Sequence, residues 1–517
     1  MDTPSQCLVG YTSSVGVLNQ LECITSAIES NQDQQADAAT MTFLVFCSSL
    51  VFLMQAGFAM ICSGCVRKKN VQNTMLKSLL DVCGSSIAFY LVGYAFAYGG
   101  EGDHMTFIGN SNFLLDVNDE TGFTHIHFIF QFTFAATATT IVAGTLAERC
   151  QMNAYLFYSM MLTGFVYPVI VHAIWTSNGF LSAGASNPLF GIGMIDFAGS
   201  GVVHVTGGAT SLLASKLLGP RKGRFHDEKG ELLEVPTPFP GHSKSLQMLG
   251  TFILWFGWYG FNAGSAVDIN SDVKLKLPVI AVAVVNSTLS GSAAGIVALF
   301  TNLIVQERMT GEPMYKLSAA MNGCLTGLVA ITGSCGIVEP WAAIVIGIVA
   351  GWVFLFSSHL LVKYCIDDAV DAIPVHLAGG AWGVVATGLF ASPRGLKHWY
   401  GYSDVSLVDH VGWFYSWGRS SSDFALLGCQ IIGLLCILSW VTLIMFPFFV
   451  LLNYIGIFRA DSLEEVVGLD VSYHGYMPKS YGDDISPEHL NAYSKKTGRI
   501  YDLDGGEQDN EGVDRFD

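Results

Sequence analysis

Apolar runs of about 20 residues or more recur along this chain, at 40–64, 79–98, 246–266, 341–361 and 424–452. A helix needs roughly 20 such residues to cross the hydrocarbon core of a bilayer, a length that buried helices of water-soluble proteins do not require. With 51% hydrophobic and 13% charged residues over 517 positions, the chain carries too much apolar surface for a soluble fold of this size. Further runs near 125–147, 152–175, 197–218, 278–305, 317–335 and 374–392 bring the expected number of spans to eleven. An odd number puts the termini on opposite sides.

The first basic residue is Arg67, in the string Arg67-Lys68-Lys69 directly after the first run. The positive-inside rule therefore places that loop in the cytoplasm and the N-terminus outside. Lys216, Arg221, Lys222, Arg224 and Lys244 fall on the same inner side, and Glu101, Asp103, Asp116, Asp119 and Glu120 on the outer. Residues 1–37 have neither a basic start nor a continuous apolar stretch, so a cleaved leader is not expected. The expected organisation is an extracellular segment at 1–38, an all-α eleven-helix domain at 39–457, a cytoplasmic tail at 458–480, and an acidic, disordered terminus at 481–517. The net charge of −17 comes without a basic face, which argues against nucleic acid as a partner.

Most of the twelve cysteines sit inside apolar runs, as small apolar residues do. Cys62 and Cys65 form a CxxC that lacks a second pair to complete a zinc site, and no metal or other cofactor is expected. Cys7 and Cys23 lie in the outer segment, where a disulfide can form within or between chains. The sequon at Asn286 falls inside a span and is discounted.

Two spans begin alike: Asp196 precedes His204 by eight residues, and Asp368 precedes His376 by eight. They are the fifth and tenth spans and run in opposite directions, the arrangement of inverted five-helix repeats with a site near the membrane midplane. Eight residues at 1.5 Å each bring both histidines roughly 12 Å into the membrane from opposite faces. An ionisable group there must face a partner or a pathway. A single histidine is about as well explained by a core hydrogen bond; two at matched depth point to a pair that passes a proton. Nearby metal ligands are missing from both runs.

On the outer side, Phe130 and Phe134 in the third span, Trp175 ending the fourth, and Phe261 and Ser265 near the end of the sixth fall at similar depth. Aromatic faces attract a small cation and a hydroxyl accepts its hydrogen bond, which together describe a vestibule. Each aromatic taken singly is as readily packing or interfacial belt, and Asp196 is equally a helix cap or a source of field. Glycines at 199–208 and 379–383 allow close helix approach around the histidines.

These residues resemble the ammonium transporter family: Phe130-Gln-Phe-Thr-Phe134, Ala147-Glu-Arg149, Asp196-Phe-Ala-Gly with His204, the stretch Trp255 to Ser265, and Asp367-Asp368 with His376. The likeness covers nearly all of 40–476 and is nearer the plant and algal transporters than the Rhesus proteins, given Trp175 and the Gly468 to Gly475 motif. It implies a homotrimer in a lipid bilayer, here a plasma membrane, with one pore per subunit. Ammonium, or methylammonium as its analogue, is recruited at Phe130, Trp175 and Ser265 under the field of Asp196; Phe134 and Phe261 gate the entry. The cation sheds its proton, ammonia crosses, and the proton follows through His204 and His376. It also implies a tail shut by a kinase acting at Ser472. Two departures stand out, Ala369 where proline is usual and Leu377 where glycine follows the second histidine. The chain is read as a transporter and not an enzyme, with an ammonium sensor of little flux as the alternative and a carrier of another amine as a weaker third.

Overall fold

A computed structural model describes residues 14–100, 104–119, 121–267, 273–400, 410–417, 423–475, 485–498, 501–502 and 506–507. Among the described residues, eight helices are long and apolar enough to cross a membrane. In chain order these and three others are α1 (Ser14–Cys65), α2 (Lys68–Tyr98), α3 (Phe123–Thr145), α4 (Met152–Trp175), α5 (200–218), α6 (Lys244–Gly264), α7 (Val273–Thr310), α8 (Leu317–Thr332), α9 (Pro340–Lys363), α10 (Ile373–Phe390) and α11 (Ala425–Tyr454). Among the described residues, strand is confined to Tyr501–Asp502 paired with Gly506–Glu507.

Two differences from the sequence reading have physical causes. No break falls at residue 38, because α1 starts at Ser14 and runs without interruption into the first apolar run. At 1.5 Å per residue its 52 residues span roughly 80 Å, so it outreaches the ~30 Å core of any bilayer. The second helix begins at Lys68, eleven residues before its apolar run, and its first turns bury Lys69, Asn73, Lys77 and Asp81. Those polar side chains broke the hydropathy pattern, yet each finds a partner in the fold. Cys23 takes part in a disulfide; Cys7 lies outside the described residues.

Equivalent helix contacts recur in the two halves of the chain. α2 lies on α4 as α7 lies on α9, and α3 lies on α5 as α8 lies on α10. α1 packs along α6 in the opposite direction, the backbone N–H of Ser243 at the start of α6 donating to Gly64 O at the end of α1. Lipid supplies no hydrophobic force between helices, so that contact depends on close approach of small residues. A Cβ at Gly257 would stand 2.2 Å from Met54, and one at Gly250 would stand 2.6 Å from the Gly57 carbonyl. α5 and α10 cross at the centre, where a Cβ on Gly208 would stand 2.3 Å from the Leu377 nitrogen.

At the end that carries Arg67, buried charges tie helices and tail together. Arg221 reaches Asp367 at 2.8 Å and Glu148 at 2.8 Å, while Arg67 takes the other Glu148 oxygen. Burial alone would raise both carboxyls; Arg221 with Arg67 holds Glu148 below the ordinary carboxylate range, and Arg221 with Arg149 does the same for Asp367. The tail folds back on this end as α12 (Ser462–Val467) and α13 (Leu469–His474). The Asp470 carboxylate is buried and accepts from the backbone N–H groups of Gln72 (3.0 Å) and Asn73 (2.7 Å), in the first turn of α2. Asn70 Oδ1 accepts from Leu469 N at 2.9 Å.

The terminus expected to be disordered contains a further helix, α14 (Pro487–Thr497), started by Pro487 after the Ser486 cap. Its Leu490 and Tyr493 are buried with Val467 and Val471 of the tail, and Lys496 pairs with Asp461 at 2.9 Å. Two apolar residues three apart on a short polar helix were too little to mark it by composition. The stretches 499–500, 503–505 and 508–517 lie outside the described residues.

Candidate functional site

Asp196 and Asp368 do the same local work. Asp196, 4% exposed, accepts from the backbone N–H groups of Gly199 (3.2 Å), Gly201 (2.8 Å) and Val202 (2.8 Å), closing the first turn of α5. Asp368 accepts from Val370 (3.2 Å) and Ile373 (2.7 Å) at the start of α10. The acid-to-histidine spacing is thus a helix cap followed by two turns. Both histidines lie in π-helical turns, Ser200–Val205 and Ile373–Ala378. Such a turn inserts one residue, re-aims the side chains around it and is frequent at functional sites.

His204 and His376 meet: their Nδ1 atoms are 3.1 Å apart and their rings 5.1 Å apart at 22°. One Nδ1 must carry the hydrogen that the other accepts, so the pair is polarised in one of two senses. Both rings are buried, and among the described residues Nε2 of His204 has no hydrogen-bond partner. Apolar walls surround them. Trp258 stacks on His204 at 5.4 Å and 21°, its Nε1 held by Thr332 Oγ1 at 2.8 Å, and Phe58 lies 6.1 Å from His376.

Phe134 and Phe261 stack above the histidines with centroids 4.0 Å apart, Phe261 lying 5.8 Å from His204. Above this pair opens a cavity of about 140 Å³ lined by Phe130, Trp175 and Ser265, with Phe134 as its floor. The Trp175 ring is fixed by donation from Nε1 to Asp196 O at 2.7 Å, and Ser265 Oγ donates to Phe261 O at 2.9 Å, leaving its lone pairs for a visitor. The Asp196 carboxylate faces its amides, and the residue lines a neighbouring chamber of about 420 Å³, not this one. Beyond His376 lies a cavity of about 30 Å³, and then one of about 190 Å³ at the Arg67 end lined by Ala369 and Asp371. Leu377 lines neither; it packs against Gly208 on α5. Ser472 is remote from the path, its Oγ donating to Gly468 O at 2.9 Å, with Tyr493 of α14 donating to its carbonyl at 3.4 Å.

Sequence reading missed several residues of this path. Tyr98, His127, Gln131, Phe197 and Trp399 also line the vestibule. Trp258 could have been found, because it precedes Phe261 by three residues and so shares its helix face. Trp399 could not: it lies on the short helix Pro393–Tyr400, outside every apolar run.

The profile described as Ammonium Transporter Family matches residues 42–479. The Solanum lycopersicum protein named Ammonium transporter 1 member 3 is 42% identical, over 88% of this chain and 95% of its own. Dictyostelium discoideum Ammonium transporter 3 is 38% identical over 83% and 91%. Among solved structures, a protein titled Sensor Amt Protein superposes with a TM-score of 0.69 at 28% identity, covering 85% of this chain and all but 1% of that one. Candida albicans Mep2 superposes with a TM-score of 0.68 at 26% identity, covering 91% and 94%. The chain therefore belongs to the Ammonium Transporter Family.

Proposed function

We propose that this protein carries ammonium across the plasma membrane as separated ammonia and proton, through eleven spans per subunit and one pore in each subunit of a homotrimer. The N-terminus lies outside and the tail inside, a reading supported by the basic residues at Arg67 and its neighbours. The observation that carries the reading is the linear order of vestibule, stacked phenyl pair and hydrogen-bonded histidine pair. Ammonium enters between Phe130 and Trp175, whose faces favour a desolvated small cation by about 0.5–2 kcal/mol each, and donates a hydrogen bond to Ser265 Oγ. The capping acid Asp196 contributes field without touching the cation. Moving an intact ion past Phe134 and Phe261 would forfeit its hydration, whereas ammonia passes at the cost of a neutral polar group. The released proton is taken by the His204–His376 pair, which accepts it at one nitrogen and gives it up at another.

The tail supplies regulation. Ser472 lies two residues from the buried Asp470 that caps α2, so phosphate there adds nearly two negative charges beside a docked carboxylate and drives undocking. A kinase acting at Ser472 closes the pore, and Ser472→Asp should abolish ammonium current while leaving the protein at the cell surface.

The decisive experiment is ammonium-evoked current in a membrane expressing the protein, with the double variant His204→Ala, His376→Ala beside it. Current in the wild type and its loss in the variant are expected. Absence of both current and labelled methylammonium uptake in the wild type would remove transport in favour of sensing.

A further inference from the structure

Asp81 stands apart from every other buried carboxylate described above. Asp196, Asp368 and Asp470 cap helix amides, and Glu148 and Asp367 bind arginines. Asp81, in α2 and 1% exposed, touches hydroxyls: Ser159 Oγ of α4 lies 2.5 Å from Oδ1, and Thr140 Oγ1 of α3 lies 3.0 Å from Oδ2. No basic side chain pairs with it among the described residues; Lys77, one turn away, donates to Cys150 O at 2.6 Å. The titratable groups around it are Tyr155 and Tyr158 of α4 and Cys62 of α1.

The hydrogens can be counted. Thr140 Oγ1 has one hydrogen but faces three oxygens, Ala136 O at 2.6 Å, Gln55 Oε1 at 2.6 Å and Asp81 Oδ2 at 3.0 Å. An ionised Asp81 would offer only acceptors and would compete for that hydrogen. A hydrogen on Oδ2 reduces the excess, since Asp81 then donates to Thr140 and the threonine hydrogen is left to two oxygens; the geometry is that of Asp81 with its proton already taken up. Thr140 also borders the ~30 Å³ cavity beside His376, whose volume matches a single water.

We propose that Asp81 is a proton-holding residue on a branch from the histidine pair, reached through that cavity and the Thr140 hydroxyl. The proton leaves an imidazole nitrogen for a water in the cavity, that water passes a proton to Thr140 Oγ1, and the threonine hydrogen moves to Asp81 Oδ2. The imidazole returns to neutral and the carboxylate goes from −1 to 0, so one charge has left the ammonia path; once ammonia has passed, the proton returns by the same hydroxyl and water to the histidine pair, and the carboxylate is restored for the next cycle. Asp81 thus removes the proton to a place where it cannot recombine with ammonia in the narrow cavity.

The inference rests on the transport reading and fails separately from it. Wild type, Asp81→Asn, Asp81→Glu and Thr140→Val are expressed in parallel, and ammonium and methylammonium currents are measured beside labelled methylammonium uptake at matched surface abundance. Asparagine preserves the shape but cannot take up the proton, and valine removes the connecting hydroxyl. Both should lower current at least tenfold and change the charge carried per methylammonium, while glutamate restores part of the current. If Asp81→Asn is not delivered to the membrane, Thr140→Val alone carries the test. A silent wild type would remove the transport reading. A conducting wild type with unchanged charge per methylammonium in Asp81→Asn or Thr140→Val would overturn the proton branch alone.

Discussion

Replacing Asp470 with alanine removes both bonds by which the tail caps α2. The carboxylate accepts from Gln72 N at 3.0 Å and Asn73 N at 2.7 Å, and these first-turn amides have no partner within their own helix. Hydrogen bonds to a charged group contribute about 1.5–3 kcal/mol each. Taking the lower figure, because Leu469 N still bonds Asn70 and Lys69 still bonds Val466 O, the loss is about 3 kcal/mol. At 1.4 kcal/mol per decade the docked population falls roughly a hundredfold relative to the undocked. Amide hydrogen exchange on the purified protein reads this directly, since Gln72 and Asn73 exchange when the tail lifts. The alanine variant should exchange there about a hundredfold faster, and Asp470→Asn, which keeps one acceptor, by an intermediate factor. Unchanged exchange at Gln72 and Asn73 would refute the docking energetics whatever happens to transport.

Other outcomes follow from the same geometry. Arg221→Met leaves Glu148 and Asp367 buried without their shared partner, and should cost about 3–5 kcal/mol in thermal unfolding of the solubilised protein. Both carboxyls have folded values below their ordinary ones, so their stabilisation is complete above about pH 4 and is lost as pH falls through the folded values. That acid-side loss should be weaker in Arg221→Met. Leu377→Gly should change ammonium current less than twofold, because Leu377 lines no part of the path, whereas Gly208→Ala should abolish it by pushing a Cβ to 2.3 Å from the Leu377 nitrogen. Tyr493→Ala strips a buried ring from the α14 contact and should cost about 3 kcal/mol there, seen as faster proteolysis within the tail.

The apolar runs by themselves determined a helical membrane protein, because length and composition decide what a bilayer accepts. The acid-to-histidine repeat determined that two histidines sit at matched depth in their helices, since rise per residue is fixed once a helix is assumed. Sequence also grouped Phe130, Phe134, Trp175, Phe261 and Ser265 at one level; the fold gathers Phe130, Phe134, Trp175 and Ser265 around one cavity and stacks Phe261 on Phe134 outside it. It offered the helix cap for Asp196 without choosing it, and had no means of knowing that Leu377 leans on Gly208 or that Lys69, Lys77 and Asp81 belong inside a helix. Each of those facts depends on a partner distant in sequence: Asp81 on Thr140 and Ser159, Lys77 on Cys150, the first turn of α2 on Asp470. A buried polar group is tolerated only where its hydrogen bonds are met, and which groups meet is decided when the helices pack. Periodicity and hydropathy specified the spans; tertiary contact alone decided which polar residues lie between them.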